Sequence, residues 1–260
     1  MSELEWYAYL IFFAAGAMAG IINVLAGNGS AITLSTLILF GISPTIANAT
    51  NRVGVFVLAV TVLFSIRKSP STVGLFKRNA WLSIPALVGS GIGAYGATLV
   101  SDKMLEYVAI GALALILLSM LLQPGKWGRE DRGLRGANKW LTGFSILFAG
   151  LYAGFIQMGV GIILLASLVL LSKFSFRQAN LIKQILVFGL ASVPLAVFIF
   201  NDMIHWGAGL ALAAGQATTG WAVARYALQN PKAQIWIRRL VVVIIIVALL
   251  GLLDVHEYLF

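Results

Sequence analysis

The sequence predicts an all-α, multi-pass membrane protein made of two inverted repeats of about five helical segments each. Three observations predict it: long apolar runs, basic residues gathered between those runs, and short motifs that recur along the chain at a nearly constant offset. Hydrophobic residues make up 60% of the 260 and charged ones 10%, against about 25% charged in an ordinary soluble domain, and the mean hydropathy is +0.94.

Runs of the roughly 20 residues that span a bilayer fall at about 6–26, 45–66, 79–100, 104–122, 140–159, 176–200, 203–225 and 236–253. The first opens at Trp6 behind Glu3 and Glu5, without the basic start and small-residue cleavage site of a signal peptide, so no removal is expected. Two shorter runs, 30–42 and 160–172, rise only ~20 Å as helices, so each is a short crossing or a dip into the membrane. Eight full-length and two short, broken or re-entrant segments result.

Loop charge orients them. Arg67, Lys68, Lys77 and Arg78 follow the third run, and the longest loop carries Lys126, Arg129, Arg132, Arg135 and Lys139. Such clusters mark the cytoplasmic side. If 160–172 crosses, then Lys173, Arg177, Arg225, Lys232, Arg238 and Arg239 are also inside, which gives ten crossings with both termini outside. If it does not cross, the last cluster falls outside, and an eight-crossing arrangement stays open. The expected organisation is a first transmembrane repeat over 1–125, a basic cytoplasmic linker over 126–139 and a second repeat over 140–260.

Two halves of five segments, an odd number, must be inverted relative to one another. Trp6 matches Trp140, and Ala19-Gly20-Ile21-Ile22-Asn23 matches Ala153-Gly154-Phe155-Ile156-Gln157, both at an offset of 134. The offset then becomes 132, where Gly27-Asn28-Gly29 falls on Gly159-Val160-Gly161 and Ala47-Asn48 on Ala179-Asn180. Inverted repeats are a transporter architecture with the site near the midplane.

The polar residues inside these runs are few. Arg52 and Lys183 lie nine and eight residues beyond Ser43 and Ser175, the expected helix caps, or ~12–14 Å along each helix. No carboxylate shares their runs, and a basic side chain that deep is costly and usually functional. Asn48, Thr50 and Asn51 accompany Arg52, and Asn180 and Gln184 accompany Lys183; Asn48 with Arg52, and Asn180 with Gln184, share a helical face. Such groups can bind a small oxyanion. Capping the carbonyl groups of neighbouring broken helices is the competing role for both cations. Gly27-Asn28-Gly29-Ser30 and Gly159-Val160-Gly161 read as those breaks, with Ser30 at a helix start where free amides favour an anion. Asn23 and Gln157, just before the breaks, either line the same cavity or bond between helices. Gly89, Gly91, Gly93, Gly96, Gly207, Gly209, Gly215 and Gly220 should let helices approach closely, Pro85 and Pro194 should kink theirs, and Gln216, Thr218 and Thr219 either line a cavity or, as the favoured role, bond between helices.

The chain has no cysteine and only two histidines, His205 and His256, in no metal-ligand spacing, so no metal, cofactor or thiol chemistry is expected. The formal charge of +9 sits in loops, which is topology rather than nucleic-acid binding. No acid–base dyad recommends an enzyme. All nine acidic residues lie in loops or near segment ends, so no buried carboxylate is available to relay protons or hold Na⁺. An inside-negative potential of 100 mV favours exit of each negative charge by ~2.3 kcal/mol and would suffice for export.

At these residues the chain resembles the TauE/SafE family of bacterial inner-membrane transporters. Gly27-Asn28-Gly29-Ser30, Gly41-Ile42-Ser43-Pro44 and Ala47-Asn48-Ala49-Thr50-Asn51-Arg52 are close to the family's glycine-rich break followed by Ala-Asn-x-Thr-Asn-Arg. Gly159-Val160-Gly161 with Ala179-Asn180-Leu181-Ile182-Lys183 is similar to its weaker repeat. Ser30, Ala31, Ser35 and Gln157 depart from the pattern. The resemblance implies a multi-pass protein of the cell inner membrane that transports sulfite, sulfoacetate or a related organosulfonate, as an exporter. The expected partners are that anion and the lipid bilayer; a homodimer stays open. An anion channel and a membrane subunit of a larger complex are the competing functions.

Overall fold

The structure is a computed structural model that describes residues 4–25, 27–66, 70–108, 110–111 and 139–226. Among these, every regular element is helical: α1 (Trp6–Leu25), α2 (Ser30–Leu39), α3 (Pro44–Ile66), α4 (Pro70–Asn79), α5 (Ser83–Thr98), α6 (Lys139–Phe155), α7 (Val160–Ala166), α8 (Phe176–Phe200) and α9 (Trp206–Tyr226). A 3₁₀ turn, Ala80–Leu82, leads into α5, and α7 runs into a π-helical stretch, Ser167–Leu171. Residues 102–108 are also helical. Most of the expected run 104–122, the linker up to residue 138 and the run 236–253 lie outside the described residues.

Segments within α1, α3 and α8 are long and apolar enough to cross a membrane, namely Trp6–Val24, Pro44–Ser65 and Gln178–Phe200. The two short runs are α2 and the α7 stretch. Two expected spans are shorter than the sequence suggested. α5 has 16 residues because α4 and the 3₁₀ turn occupy the chain up to Leu82, and α6 has 17 because the chain leaves the helix at Ile156. α4 itself lies in the basic loop, with Lys77 and Arg78 in its last turn, where positive charge suits the helix dipole.

Two seams of small residues join the bundle. α1 packs along α9, and α5 along α6. Gly16 and Gly20 meet the backbone of Leu212 and Gln216 while Gly215 meets that of Phe13 and Ala17; in the other seam Gly89 and Gly93 meet Leu147 and Leu151, and Gly150 and Gly154 meet Ala86 and Ser90. A Cβ at any of these would collide with backbone. Gly207, Gly209 and Gly220 instead face side chains, those of Tyr9, Val53 and Leu58. Gly91 and Gly96 were expected in this role, but their nearest neighbours would stand 3.5 and 3.8 Å from an added Cβ, an ordinary contact. Thr219 donates across the first seam to the Ala17 carbonyl at 2.7 Å.

α3 packs against both α8 and α9. The guanidinium of Arg52 lies over the ring of Phe198 and the ring of Phe56 stacks on Phe188, so position rises along α3 as it falls along α8, and the two helices are antiparallel. Arg52 and Lys183 therefore sit on opposite sides of the Phe56–Phe188 contact. Pro85 occupies the first turn of α5, where the missing amide has no helical partner to lose. Pro194 lies inside α8.

A candidate anion site between two broken helices

The two glycine breaks touch. Gly27 and Gly159 both have positive φ, +79° and +69°, a region that glycine enters without steric cost. The Gly27 amide closes α1 on the Ile22 carbonyl at 2.9 Å, and its own carbonyl accepts from the Gly161 amide at 3.1 Å. A Cβ on either Gly27 or Gly161 would run into the backbone of the other. The unwound stretch in the second half is Ile156–Gly159, because Val160 and Gly161 already begin α7.

A helix that stops inside a membrane leaves its last carbonyls without amide partners, and hydrocarbon offers no water to replace them. Each half supplies donors to the other. Arg52 on α3 donates through Nη1 to the Ala153 carbonyl at 2.5 Å and through Nη2 to that of Gly154 at 2.8 Å, and Asn48 donates to Phe155 at 2.8 Å. These are the last three carbonyls of α6. Nη2 also reaches Asn48 Oδ1 at 3.4 Å, as their shared helical face predicts. Lys183 on α8 donates to the Asn23 and Val24 carbonyls at 3.4 and 3.3 Å, and Gln184 to Val24 at 3.0 Å, in the last turn of α1. The capping role left open by the sequence is thus seen directly for both cations. Each cation is completely buried, and no Asp or Glu is buried among the described residues. The carbonyl ends, each equivalent to about half a negative charge, offset the cations only in part.

A cavity of about 20 Å³, room for roughly one water, opens beside Lys183. Its polar lining is Asn23, Ser30, Gln157, Lys183 and Gln184, and Gly27 and Gly161 floor it. Asn23 and Gln157 therefore share a cavity. Asn23 Oδ1 accepts from the Gly29 amide at 2.7 Å, leaving Nδ2 buried without a partner, and Gln157 Oε1 is also buried without one.

The other expected site residues do not line this cavity. Thr50 accepts from the His205 amide at 3.0 Å, and Asn51 Oδ1 accepts from Thr33 at 2.6 Å, so both tie α3 to neighbouring segments. Asn28 is buried with neither amide atom partnered, and Asn180 has an unpartnered Oδ1. Gln216, expected to bond between helices, is buried with both amide atoms unpartnered. Of the two serine caps, Ser175 forms a capping box with Gln178, whereas the Thr45 amide is capped by Asp102 Oδ1 at 3.0 Å instead of by Ser43. His205 caps α9 through Nδ1, which accepts from the Ala208 amide. No cluster of His, Asp or Glu among the described residues could hold a metal. No sequence signal pointed to Phe198 beneath the guanidinium or to Asp102 as a cap: both partners come from segments distant in sequence.

Taken together, the arrangement is a polar, cation-lined cavity at the meeting of two broken helices. The family model described as Sulfite exporter TauE/SafE matches residues 12–252. A Sinorhizobium protein described as a probable membrane transporter is 27% identical over 229 residues, 88% of this chain and 86% of its own. The Escherichia coli K12 protein YfcA, described in the same words, is 28% identical over 90% of this chain and 85% of its own, and a Haemophilus influenzae relative is 28% identical over 79% of each. No solved structure matches the chain. The chain belongs to the TauE/SafE family of membrane transport proteins.

Proposed function

We propose that this protein is a secondary transporter that carries a small anion, sulfite or an organosulfonate such as sulfoacetate, out across the bacterial inner membrane. The observation that carries this is the reciprocal insertion of two buried cations under the opposite half's broken helix, beside a polar cavity, with no buried carboxylate among the described residues to neutralise them. Lys183, Gln184, Asn23, Ser30 and Gln157 hold the anion from the cavity walls. Arg52, with Asn48, Thr50, Asn51, Asn28 and Asn180 around the second cation and the breaks, completes the positive field on the other side of the Phe56–Phe188 contact.

The halves act as inverted five-segment repeats in a ten-crossing chain. In support, positive φ recurs at matching places, Gly27 with Gly159 and Gly41 with Lys173, and α1 and α6 each pack along a helix of the opposite half. A cavity with room for about one water is too small for a sulfonate, so loading requires its walls to move apart, which favours a carrier over an open channel.

Thermal stability of the purified protein titrated with sulfite, sulfoacetate, taurine and simple carboxylates tests this. A ligand that binds the native state stabilises it by RT ln(1 + [L]/Kd), so a saturable shift with the sulfur oxyanions alone is expected. No shift with any of these anions, or linear and non-saturating flux in liposomes, would overturn the carrier reading.

A further inference from the structure

We infer that α4 is an interfacial helix that recognises anionic phospholipid: Lys77 and Arg78 meet the headgroup phosphates, and Val73 and Phe76 rest among the outermost acyl carbons. The inference is independent of which anion the protein carries. The bundle does not need α4 to close, since the chain passes from α8 to α9 through the short turn that follows Phe200, whereas between α3 and α5 it inserts a separate ten-residue helix. Leu75 fixes that helix to the core around Leu82 and Phe174. Val73 and Phe76, three residues apart and so neighbours on one flank, are exposed. Lys77 and Arg78 are exposed too, with no partner among the described residues. An apolar flank beside basic residues is the pattern of a helix lying in the membrane surface.

The packing sets α4 at headgroup level. α5 and α6 run in the same direction, because Gly89 meets Leu147 and Leu151 while Gly93 meets Leu151 and Phe155. Their starts therefore lie together, and there Trp81, just beyond α4, and Trp140, at the opening of α6, are both exposed. Exposed tryptophans gather where membrane meets water, and Trp6 and Trp206, which open α1 and α9, mark the opposite boundary. Charge separates between the two ends. α8 runs with α5, since Gly91 meets Val193 and Gly189 meets Leu87, so Asp102, Glu106 and Asp202, which follow α5 and α8, stand at the end away from α4. Glu5 opens α1 at that same far end, where Gly207 meets Tyr9. Every acidic residue among the described ones is thus remote from Lys77, Arg78 and Lys139. A positive patch without acidic neighbours, held at headgroup level, gathers anionic lipid from the leaflet around it.

The chain has no cysteine, so Val73→Cys gives a single site for a bimane fluorophore on the full-length protein. The labelled protein is placed in nanodiscs of equal parts phosphatidylcholine and phosphatidylglycerol, with brominated acyl chains on one lipid or on the other. Bromine is expected to quench the fluorophore, at least about threefold more strongly when phosphatidylglycerol carries it. Adding Lys77→Gln with Arg78→Gln should bring the two lipids to within about 1.5-fold of each other while quenching itself persists, because the apolar flank still meets the bilayer. Equal quenching by both lipids with Lys77 and Arg78 in place overturns the inference. So does a preference that survives the double glutamine variant. Absence of quenching by either lipid places α4 off the membrane, within reach of an acidic soluble partner, and overturns it as well. A second measurement needs no label: native mass spectrometry of the wild type from mixed micelles should show phosphatidylglycerol retained over phosphatidylcholine, and loss of that preference in the double glutamine variant. Equal retention by the wild type counts against the inference in the same way.

Discussion

The Arg52 end and the Lys183 end of the bundle use one device with different tightness. Arg52 holds two carbonyls at 2.5 and 2.8 Å, reaches Asn48 and lies over the Phe198 ring, so both terminal nitrogens of its fork are engaged, and only Nε is buried without a partner. Lys183 holds two carbonyls at 3.4 and 3.3 Å, shares one of them with Gln184 and faces a cavity. Guanidinium geometry suits rigid bidentate capping, and an ammonium on a flexible stem suits a partner that comes and goes. The difference teaches that equal burial and equal charge do not mean equal availability. On the proposed anion site, the first end keeps its carbonyls and the second exchanges one for a ligand.

Removing each cation in turn is the sharpest way to break that comparison. Arg52→Gln should cost the most in stability, about 3 kcal/mol, because one or two buried carbonyls of α6 lose their donors at ~1–3 kcal/mol each, and Arg52→Lys should recover only part of it. Lys183→Met should cost less stability, since Gln184 still caps Val24, yet abolish saturable anion binding. Thermal unfolding and ligand titration of both variants check this; a Lys183→Met protein that binds anions normally would remove the assignment.

The next effect concerns the point where the ends meet. Gly161→Ala should destabilise by about 1–3 kcal/mol, because its Cβ would press on the Gly27 backbone, whereas Gly41→Ala meets open space and bears only the left-handed penalty of about 1–2 kcal/mol. Both should remain foldable, and only Gly161→Ala should alter anion binding. Identical effects of the two on binding would show that the contact between breaks is incidental to the site.

The smallest expected effects lie where the two halves leave their short helices. Gly41 and Lys173 occupy corresponding turns with φ of +79° and +57°, and only the first is a glycine. Lys173→Gly should therefore stabilise by up to about 1 kcal/mol. A loss of stability would mean that the lysine side chain itself anchors the turn after the π-helical stretch.

The expectations from sequence succeeded where the controlling physics is local. Glycine pairs located both breaks, and the Ser175 cap followed from the residues next to it. They failed where a distant group competes. Ser43 has the right chemistry and position to cap α3, but Asp102 reaches the Thr45 amide and hydroxyl with a carboxylate, a stronger acceptor. Asn28 stands in the break motif yet does not line the cavity, while Gln157, an interruption of the pattern, does.

By itself the sequence determined that the chain is a membrane protein, where its helices break, and that two cations lie deep without carboxylates, since run length, glycine content and charge placement are properties of short stretches. Only the tertiary structure decided which groups the cations hold and which of them faces the cavity. Their partners are backbone carbonyls, which every residue carries alike, so no side-chain pattern can announce them until the halves are brought together.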